Sequence, residues 1–204
     1  MSASPKSHPI VGILLAAGAS RRFGSDKLSH RLPDGTPLAV AAARRLLPVC
    51  ARVVAVLRPG RDELAAALTA VGCEIVFSPE AEGGMGHSLA AGVRATAEAA
   101  GWIVALADMP FIASSSQVAV AAALQAGASL AATQYRGRRG HPVGFARAWQ
   151  NPLAGLTGDQ GGKTLLEQHH QKLTLCPVDD PGVVRDIDYP RDLIDAGSGT
   201  SPRE

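Results

Sequence analysis

Apolar positions along the first 127 residues alternate between two patterns. Short, nearly continuous apolar runs are typical of strands buried on both faces of a sheet. Between them lie longer segments with apolar residues at helical spacing. The strand-like runs cover residues 10–16, 52–58, 73–78 and 102–108, and the helical segments cover 36–50, 61–72, 84–101 and 114–127. Because strand and helix alternate four times, the pattern predicts a parallel sheet with helices on both faces, and the fourth strand is expected near its centre.

Proline, aspartate and glycine mark the expected helix ends. Pro37 fits the first turn of the first helix. Asp62 or a neighbour is expected to cap the second helix and Gly72 to end it. The third helix is expected to continue to Gly101.

The pattern changes after Gly127. The stretch "ASLAATQYRGRRGHPVGF" predicts two strands joined by a basic, glycine-rich turn that carries Arg138, Arg139 and His141. Smaller helices and one more strand come after it. Without a repeat or a long linker, the chain is predicted to form one α/β domain over 10–195, less regular in its C-terminal third, with flexible tails at 1–9 and 196–204.

Composition limits the classes of function. Hydrophobic residues make up 46% of the 204 residues, which is enough for a core, and the net charge of +2 does not favour nucleic acid or a membrane as partner. No apolar run reaches the roughly 18 residues that span a bilayer, and the N-terminus lacks the apolar segment of a signal peptide. Cys50, Cys73 and Cys176 have no metal-binding spacing, so we expect a reducing, cytoplasmic setting.

The segment after the first strand, "AAGASRRFGSDK", combines small and basic residues. Small residues let the backbone approach a ligand closely, and Arg21, Arg22 and Lys27 add positive charge, which favours a polyphosphate. Neither GxxxxGK(S/T) nor GxGxxG fits the segment. A glycine-containing turn with solvated arginines is the alternative.

The segment after the third strand is rich in glycine. "SPEAEGGMGHSL" places three glycines and Ser88 before a helix, a second point where the backbone can contact a ligand. His87 is a candidate ligand or base, although a histidine beside glycines is more often incidental.

Acidic residues come directly after the fourth strand and recur near the C-terminus. Asp108 is costly to bury unpaired at the end of an apolar strand, so it is a candidate Mg²⁺ ligand, with a helix cap as the alternative. Asp186 and Asp188 are two residues apart and would face the same side of an extended segment. They are candidates for the second half of the metal site, or else helix caps. Asp159 lies in a further glycine-rich stretch, "LTGDQGG".

Six motifs in a fixed order make the chain recognisable. "LLAAGASRRFGSDKL", "GGMGHSLAAGV", "ALADMPF", "GHPVGF", "LTGDQGG" and "DIDYPRDL" resemble the MobA-like nucleotidyltransferase family, above all its molybdenum cofactor cytidylyltransferase branch. The resemblance covers 10–195. It implies a Rossmann-like nucleotidyltransferase fold and an Mg²⁺-dependent (or Mn²⁺-dependent) transfer of CMP from CTP to the terminal phosphate of molybdenum-loaded molybdopterin, with release of pyrophosphate. It also implies transient contact with a molybdenum hydroxylase or its maturation factor.

The resemblance implies which residues hold the nucleotide. Arg22 and Lys27 would hold the triphosphate and act with Asp108 in catalysis, while Gly86 and Ser88 would lie along the nucleotide. The base and ribose would contact Leu15, Ala16, Ala17 and Gly18.

The resemblance also implies a metal site and an acceptor side. Asp108 would bind Mg²⁺ together with Asp186 or Asp188, and His141 and Arg139 would face the pterin. Because the acceptor phosphate is already anionic at neutral pH, the reaction needs no general base.

Some positions bear on base choice or depart from the family pattern. "LAAG" rather than "LAGG" resembles the cytidylyl branch, so the methyl group of Ala17 is the expected determinant of the base. Ser29, His30 and Arg31 stand where the family usually has apolar residues.

Other functions remain open at this point. Within the family, the chain could be a guanylyltransferase or an NTP transferase acting on another phosphorylated acceptor. A strand, a glycine turn and a helix also open NAD(P)-dependent oxidoreductases, although GxGxxG is missing here. A non-catalytic carrier that delivers the cofactor to a molybdenum hydroxylase would need the same pocket.

Overall fold

A seven-stranded sheet forms the centre of the computed structural model, which describes residues 9–18, 23, 26–159, 161–189 and 192. The strands of the described part are β1 Ile10–Leu15, β2 Arg52–Leu57, β3 Glu74–Phe77, β4 Gly101–Leu106, β5 Leu130–Tyr135, β6 Arg138–Ala146 and β7 Leu173–Pro177. The helices are α1 Leu38–Leu46, α2 Asp62–Ala70, α3 Met85–Ala95, α4 Ser114–Gln125, α5 Gln150–Ala154 and α6 Gly162–Gln168. Short 3-10 turns cover Lys27–Ser29, Pro79–Gly83, Arg147–Trp149, His170–Lys172 and Pro181–Val184.

The sheet is mostly parallel, as the apolar pattern predicts. Its order is β3-β2-β1-β4-β6-β5-β7, so β4 is the central strand. Strands β1 to β4 pair in parallel, β6 runs antiparallel to both β4 and β5, and β7 pairs in parallel with β5. The C-terminal third was predicted to be less regular, and there the antiparallel β6 interrupts the parallel order of the sheet.

Helices cover both faces of the sheet. Leu14 of β1 belongs to the core that α1, α2 and α4 cover, and its neighbour Ile13 belongs to the core under α3, α5 and α6. Both side chains are fully buried. Successive side chains of a strand point to opposite faces, so a strand between two helical layers must be apolar at every position.

Two predicted helix ends differ from the structure. Helix α3 ends at Ala95 instead of Gly101, since Thr96 leaves the helical conformation with φ −129° and ψ 38°. The buried Thr96 hydroxyl donates to the Gly92 carbonyl and accepts from Trp102 Nε1, at 2.8 Å each. The expected cap of α2 by Asp62 is also wrong, since Arg61 precedes the helix and no side-chain hydrogen bond closes its first turn.

The basic cluster predicted for a turn lies in strand β6. Arg136 and Gly137 form the two-residue connection between β5 and β6, with φ values of 47° and 78°. Two successive positive φ values are typical of the tightest β-hairpin turns. The strand therefore begins at once, and Arg138, Arg139 and His141 belong to β6.

The predicted tails largely lie outside the described residues. At the boundary, the Pro9 carbonyl accepts a hydrogen bond of 3.0 Å from the Ala100 N–H. In the described ranges, we find no helix of sufficient length and hydrophobicity to cross a bilayer.

Candidate active site

A cleft of about 840 Å³ opens at the carboxyl ends of β1, β2 and β4. This is the edge at which open α/β sheets bind their ligands. Several residues predicted from the sequence line it, namely Leu15, Ala17, Gly18, Lys27, Ser88, Asp108 and Asp188.

Two carboxylates meet one ammonium group in this cleft. Lys27 Nζ lies 2.9 Å from Asp108 Oδ2 and 3.5 Å from Asp188 Oδ1. Lys27 is only 8% exposed, and burying its charge requires such partners. In the structure Asp108 thus pairs with Lys27, and its predicted role as a metal ligand stays a prediction.

Backbone hydrogen bonds fix the positions of the two carboxylates. The Ala107 N–H donates to the Leu15 carbonyl at 3.1 Å, which holds the end of β4 beside the end of β1. The Ile187 N–H donates to the Asp108 carbonyl at 3.0 Å. This second bond places Asp188 next to Asp108 although 80 positions separate them in the chain.

Ala16 and Gly86 do not line the cleft. Ala16 is 2% exposed and lies beneath it. The Gly86 N–H donates to the Gly158 carbonyl at 2.8 Å, and a Cβ at position 86 would lie 2.7 Å from the Thr157 carbonyl oxygen. Here glycine lets α3 begin against the backbone of 157–158, and this packing brings Asp159 into the cleft lining. A contact of Gly86 with nucleotide stays a prediction.

Asp188 lines the cleft, whereas Asp186 does not. Both lie in a segment without regular secondary structure. The negative charge of Asp186 favours the protonated ring of His141, although burial lowers the pKa of His141 overall. That the two carboxylates face the same side stays a prediction.

The two residues predicted for the acceptor lie outside the cleft lining. Arg139 Nη2 is 3.6 Å from Glu167 Oε1. His141 is partly exposed, but its Nδ1 atom is buried and lacks a hydrogen-bond partner within the described part of the chain. Burial lowers the pKa of His141, and a hydrogen bond with the Val104 backbone and the carboxylates of Asp108 and Asp186 counteract it only in part. An acceptor contact stays a prediction for both.

Arg22 lies outside the described residues, so its predicted role with the triphosphate stays a prediction.

Arg58 and Glu82 also line the cleft, although neither was singled out as a site residue from the sequence. Arg58 directly succeeds β2, and its Nη1 atom lies 3.9 Å from Glu82 Oε1. Asp108 was predicted because it stands at the carboxyl end of a strand, where open α/β sheets bind ligands. The same reasoning applies to Arg58 at the end of β2, so this signal could have found it.

Negative charge outweighs positive charge in the described part of the cleft. Its charged lining comprises the cations Lys27 and Arg58 and the carboxylates Glu82, Asp108, Asp159 and Asp188. A polyphosphate would add further negative charge, which favours binding together with a cation.

The donor set fits a hard divalent cation. Asp108 and Asp188 converge on the Lys27 ammonium, so one point lies within reach of both carboxylates. Carboxylate oxygens suit Mg²⁺ or Mn²⁺, and Mg²⁺ is usually held by one or two carboxylates with substrate phosphates. In the described ranges, no three His, Cys, Asp or Glu side chains form a metal site by themselves.

Two curated proteins are similar over most of their length. The purine catabolism protein PucB of Bacillus subtilis is 30% identical over 197 residues, covering 90% of this chain and 93% of PucB. Nicotine blue oxidoreductase of Paenarthrobacter nicotinovorans is 27% identical over 188 residues, covering 88% of this chain and 92% of that protein.

Solved structures share the fold. Rv0371c of Mycobacterium tuberculosis H37Rv superposes with a TM-score of 0.80 at 25% identity, covering 93% of this chain and 97% of that one. Another structure of Rv0371c, a complex with manganese, gives a TM-score of 0.75 at 24% identity, with 92% and 97% coverage.

The model of the MobA-like NTP transferase domain matches residues 12–173. This match spans every strand of the sheet up to the start of β7. The order of the six motifs and the cleft at the carboxyl ends of the strands agree with it. This chain belongs to the MobA-like NTP transferase family, has the nucleotidyltransferase fold, and is a nucleotidyltransferase.

Proposed function

We propose that this nucleotidyltransferase transfers CMP from CTP to the terminal phosphate of molybdenum-loaded molybdopterin and releases pyrophosphate. The observation that carries the proposal is the convergence of Asp108 and Asp188 on Lys27 in the cleft. Such a site provides positioning and charge neutralisation, which are the main requirements of phosphoryl-type transfer.

The proposed reaction exchanges one phosphoanhydride bond for another. An oxygen of the acceptor phosphate attacks the α-phosphorus of CTP. The bond from that phosphorus to the bridging oxygen of the β-phosphate breaks, and its electron pair leaves with pyrophosphate. The attacking oxygen is already anionic, so neither His87 nor His141 is needed as a base.

Asp108 and Asp188 would hold a divalent cation, Mg²⁺ or Mn²⁺, in this reaction. We favour Asp188 over Asp186 as the second ligand because only Asp188 of this pair lines the cleft. The manganese complex of Rv0371c supports a divalent metal. When bound, the cation would offset negative charge on the phosphates.

Lys27 would exchange partners when the substrate arrives. In the structure its ammonium group is paired with the two proposed metal ligands. If Asp108 and Asp188 held a cation, Lys27 would lose these partners, and its ammonium group would be available to the β- and γ-phosphates. Arg22 is proposed to share that role, and Ser88 to lie along the nucleotide.

The preference for cytosine is proposed to depend on Ala17. Its side chain lines the cleft and is 8% exposed, so the methyl group is available to a base. A glycine at this position would leave more room for a larger base. Delivery of the product to a molybdenum hydroxylase, in the cytoplasm, belongs to the same proposal.

An oxidoreductase is the second candidate. Its support is the similarity to nicotine blue oxidoreductase, whose name describes a redox reaction. A reduced nicotinamide cofactor also carries a pyrophosphate, so the excess of carboxylates among the charged residues of the described lining would favour its binding with a cation as well.

Calorimetric titration of the purified protein with CTP, GTP, ATP and NADH separates these candidates. Each ligand is titrated with and without Mg²⁺. We expect CTP to bind with metal and GTP to bind more weakly. A preference for GTP would overturn the choice of base, and binding of NADH without response to any NTP would favour the oxidoreductase.

Pyrophosphate release then tests the acceptor. Wild-type protein with CTP, Mg²⁺ and molybdenum-loaded molybdopterin is expected to release pyrophosphate and form the cytosine dinucleotide. Release only when another phosphorylated acceptor is supplied would overturn the proposed acceptor and keep the transferase.

A further inference from the structure

Asp26, the residue directly before Lys27, is tied to a different part of the sheet. An Arg61 Nη2–H donates to Asp26 Oδ1, and the two side chains form an ion pair. Arg61 lies between β2 and α2, 35 positions further along the chain. The contact therefore joins the segment that carries Lys27 to the loop after β2.

The Asp26 carboxylate interacts both with Arg61 and with its own helix turn. It precedes the 3-10 turn Lys27–Ser29, and Ser29 of that turn contributes with Arg61 to its ionisation. Burial raises the pKa of Asp26, and Ser29 and the Arg61 guanidinium lower it by more, so the carboxylate stays ionised beside Arg61. Arg61 itself is held in place, with its side chain only 19% exposed.

Lys27 needs a fixed backbone because its long, flexible side chain must place the ammonium group at one point in the cleft. The ammonium group contacts Asp108 and Asp188 at the far end of the side chain, while Leu28 anchors the next residue in the core at 4% exposure. A lysine loses considerable rotamer freedom when it is held at one point. Holding Asp26 restrains the backbone on the other side of Lys27.

We infer that Arg61 is a positioning residue for Lys27, acting through Asp26 to hold the Lys27 ammonium group where a polyphosphate binds. The inference rests on the proposed function only because it requires a polyphosphate ligand; it does not depend on which nucleotide base that ligand carries. Loss of an outer partner of this kind typically lowers affinity or activity by about tenfold or more. We call Arg61, Asp26 and Lys27 the positioning relay.

The experiment measures binding of inorganic tripolyphosphate with Mg²⁺ by calorimetry, so base and acceptor do not enter. Arg61→Gln and Asp26→Ala are each expected to weaken binding about tenfold. The double variant should bind no more weakly than the weaker-binding single variant, because each substitution breaks the same Arg61–Asp26 contact. Arg61→Lys, which keeps the charge, should recover part of the affinity.

Two further variants separate positioning from other roles. In a Lys27→Met background, Arg61→Gln should cause no additional loss, whereas a general structural defect would add to it. Arg52→Gln is the matched control, because Arg52 stands at the opposite end of β2 and pairs with Glu74 and Glu98 at 3.1 and 2.8 Å. We expect it to bind tripolyphosphate as the wild type does.

Three results would overturn the inference. One is wild-type affinity in folded Arg61→Gln protein. Another is wild-type affinity in Asp26→Ala together with weakened binding in Arg61→Gln, which would mean that Arg61 contacts the phosphate directly. The third is wild-type protein that does not bind tripolyphosphate at all. If the relay variants behave as expected but CTP is not preferred, the proposed function fails and the inference stands.

Discussion

At the scale of single residues, the cleft depends on charges that neutralise one another. Lys27 and Asp108 are 81 positions apart in sequence and 2.9 Å apart in space. Each would be unfavourable at this depth without the other. Replacing Lys27 or Asp108 therefore leaves the charge of the other unbalanced, and replacing Asp108 also removes a proposed metal ligand.

Asp108→Asn should abolish turnover while leaving the fold intact. The amide keeps the shape but loses the negative charge that would hold the cation, so we expect a decrease in kcat of about 10² to 10³-fold. Asp179→Asn, at an exposed aspartate, is the matched control. Pyrophosphate release measures the rate and circular dichroism the fold; near-normal turnover would remove Asp108 from the metal site.

Ala17→Gly tests the residue-level account of base choice. Removing the methyl group should reduce the preference for CTP over GTP by up to about tenfold, since a single buried methyl group contributes roughly 1 kcal/mol. The affinities of both nucleotides, measured by calorimetry, check this. If the ratio does not change, other residues of the cleft select the base.

His141 should make the protein less stable in mild acid. Burial lowers its folded pKa below the ordinary 6.5, so the unfolded chain binds the extra proton more readily. The contribution of the neutral ring is complete above about pH 6.5 and is lost as the pH falls. Asp108 and Asp186 weaken this effect, and Arg139 strengthens it.

The test compares unfolding free energies at about pH 7.5 and pH 5. Urea denaturation should show that the unfolding free energy falls less between these two pH values in His141→Asn than in the wild type. His170→Asn, which replaces an exposed histidine, is the control. If the unfolding free energies of wild type and His141→Asn depended equally on pH, protonation of His141 would not cause the loss of stability.

At the scale of elements, the start of α3 and the backbone of 157–158 pack without an intervening side chain. The Gly86 N–H donates to Gly158 across this contact. The arrangement determines how closely the 157–159 segment, with Asp159, approaches the cleft. The glycine-rich motif therefore serves two ends, since Gly86 packs against 157–158 while Gly83, Gly84 and Ser88 line the cleft.

Gly86→Ala should destabilise the protein by about 1–3 kcal/mol through overpacking. The new Cβ would lie 2.7 Å from the Thr157 carbonyl oxygen and 2.8 Å from that of Gly158, so the backbone must move. The gain of up to about 1 kcal/mol in helix propensity offsets only part of this. Urea denaturation measures the change.

Gly155→Ala is the matched control for Gly86→Ala. Its Cβ would lie 3.5 Å from the Asn151 carbonyl oxygen, an ordinary contact. We expect its stability to remain close to that of the wild type. Unchanged stability in Gly86→Ala would mean that the 157–158 segment moves away at little cost.

At the scale of the whole molecule, the cleft joins two parts of the chain. Lys27 and Asp108 come from the parallel half of the sheet, while Asp159 and Asp188 come from the irregular C-terminal third. A ligand that contacts both parts binds only the folded state. Binding should therefore stabilise the whole domain.

CTP with Mg²⁺ should raise the melting temperature by about 5–10 °C. At a free concentration of roughly 100 Kd the gain is about 2.7 kcal/mol, and 1 kcal/mol corresponds to about 2–4 °C for a domain of this size. Scanning calorimetry measures the shift, with CTP and a chelator as control. A shift with NADH and none with CTP would contradict the proposed function.

The sequence alone determined the layered architecture and the edge at which the site lies. Strands buried on both faces and helices with one apolar face have local periodicities that adjacent residues encode. Parallel pairing then places the ends of β1 and β4 side by side, so Lys27 and Asp108 could be predicted to share a site. The ordered motifs supplied the family, which the match over residues 12–173 confirms.

Only the tertiary structure decided which side chains meet. It brought Asp188 but not Asp186 into the cleft, assigned Gly86 to packing, and joined Arg61 to Asp26. Contacts between distant parts of the chain depend on how irregular segments cross the sheet, and these segments have no periodicity to read. The fold therefore follows from local pattern, whereas the composition of the site follows from long-range packing.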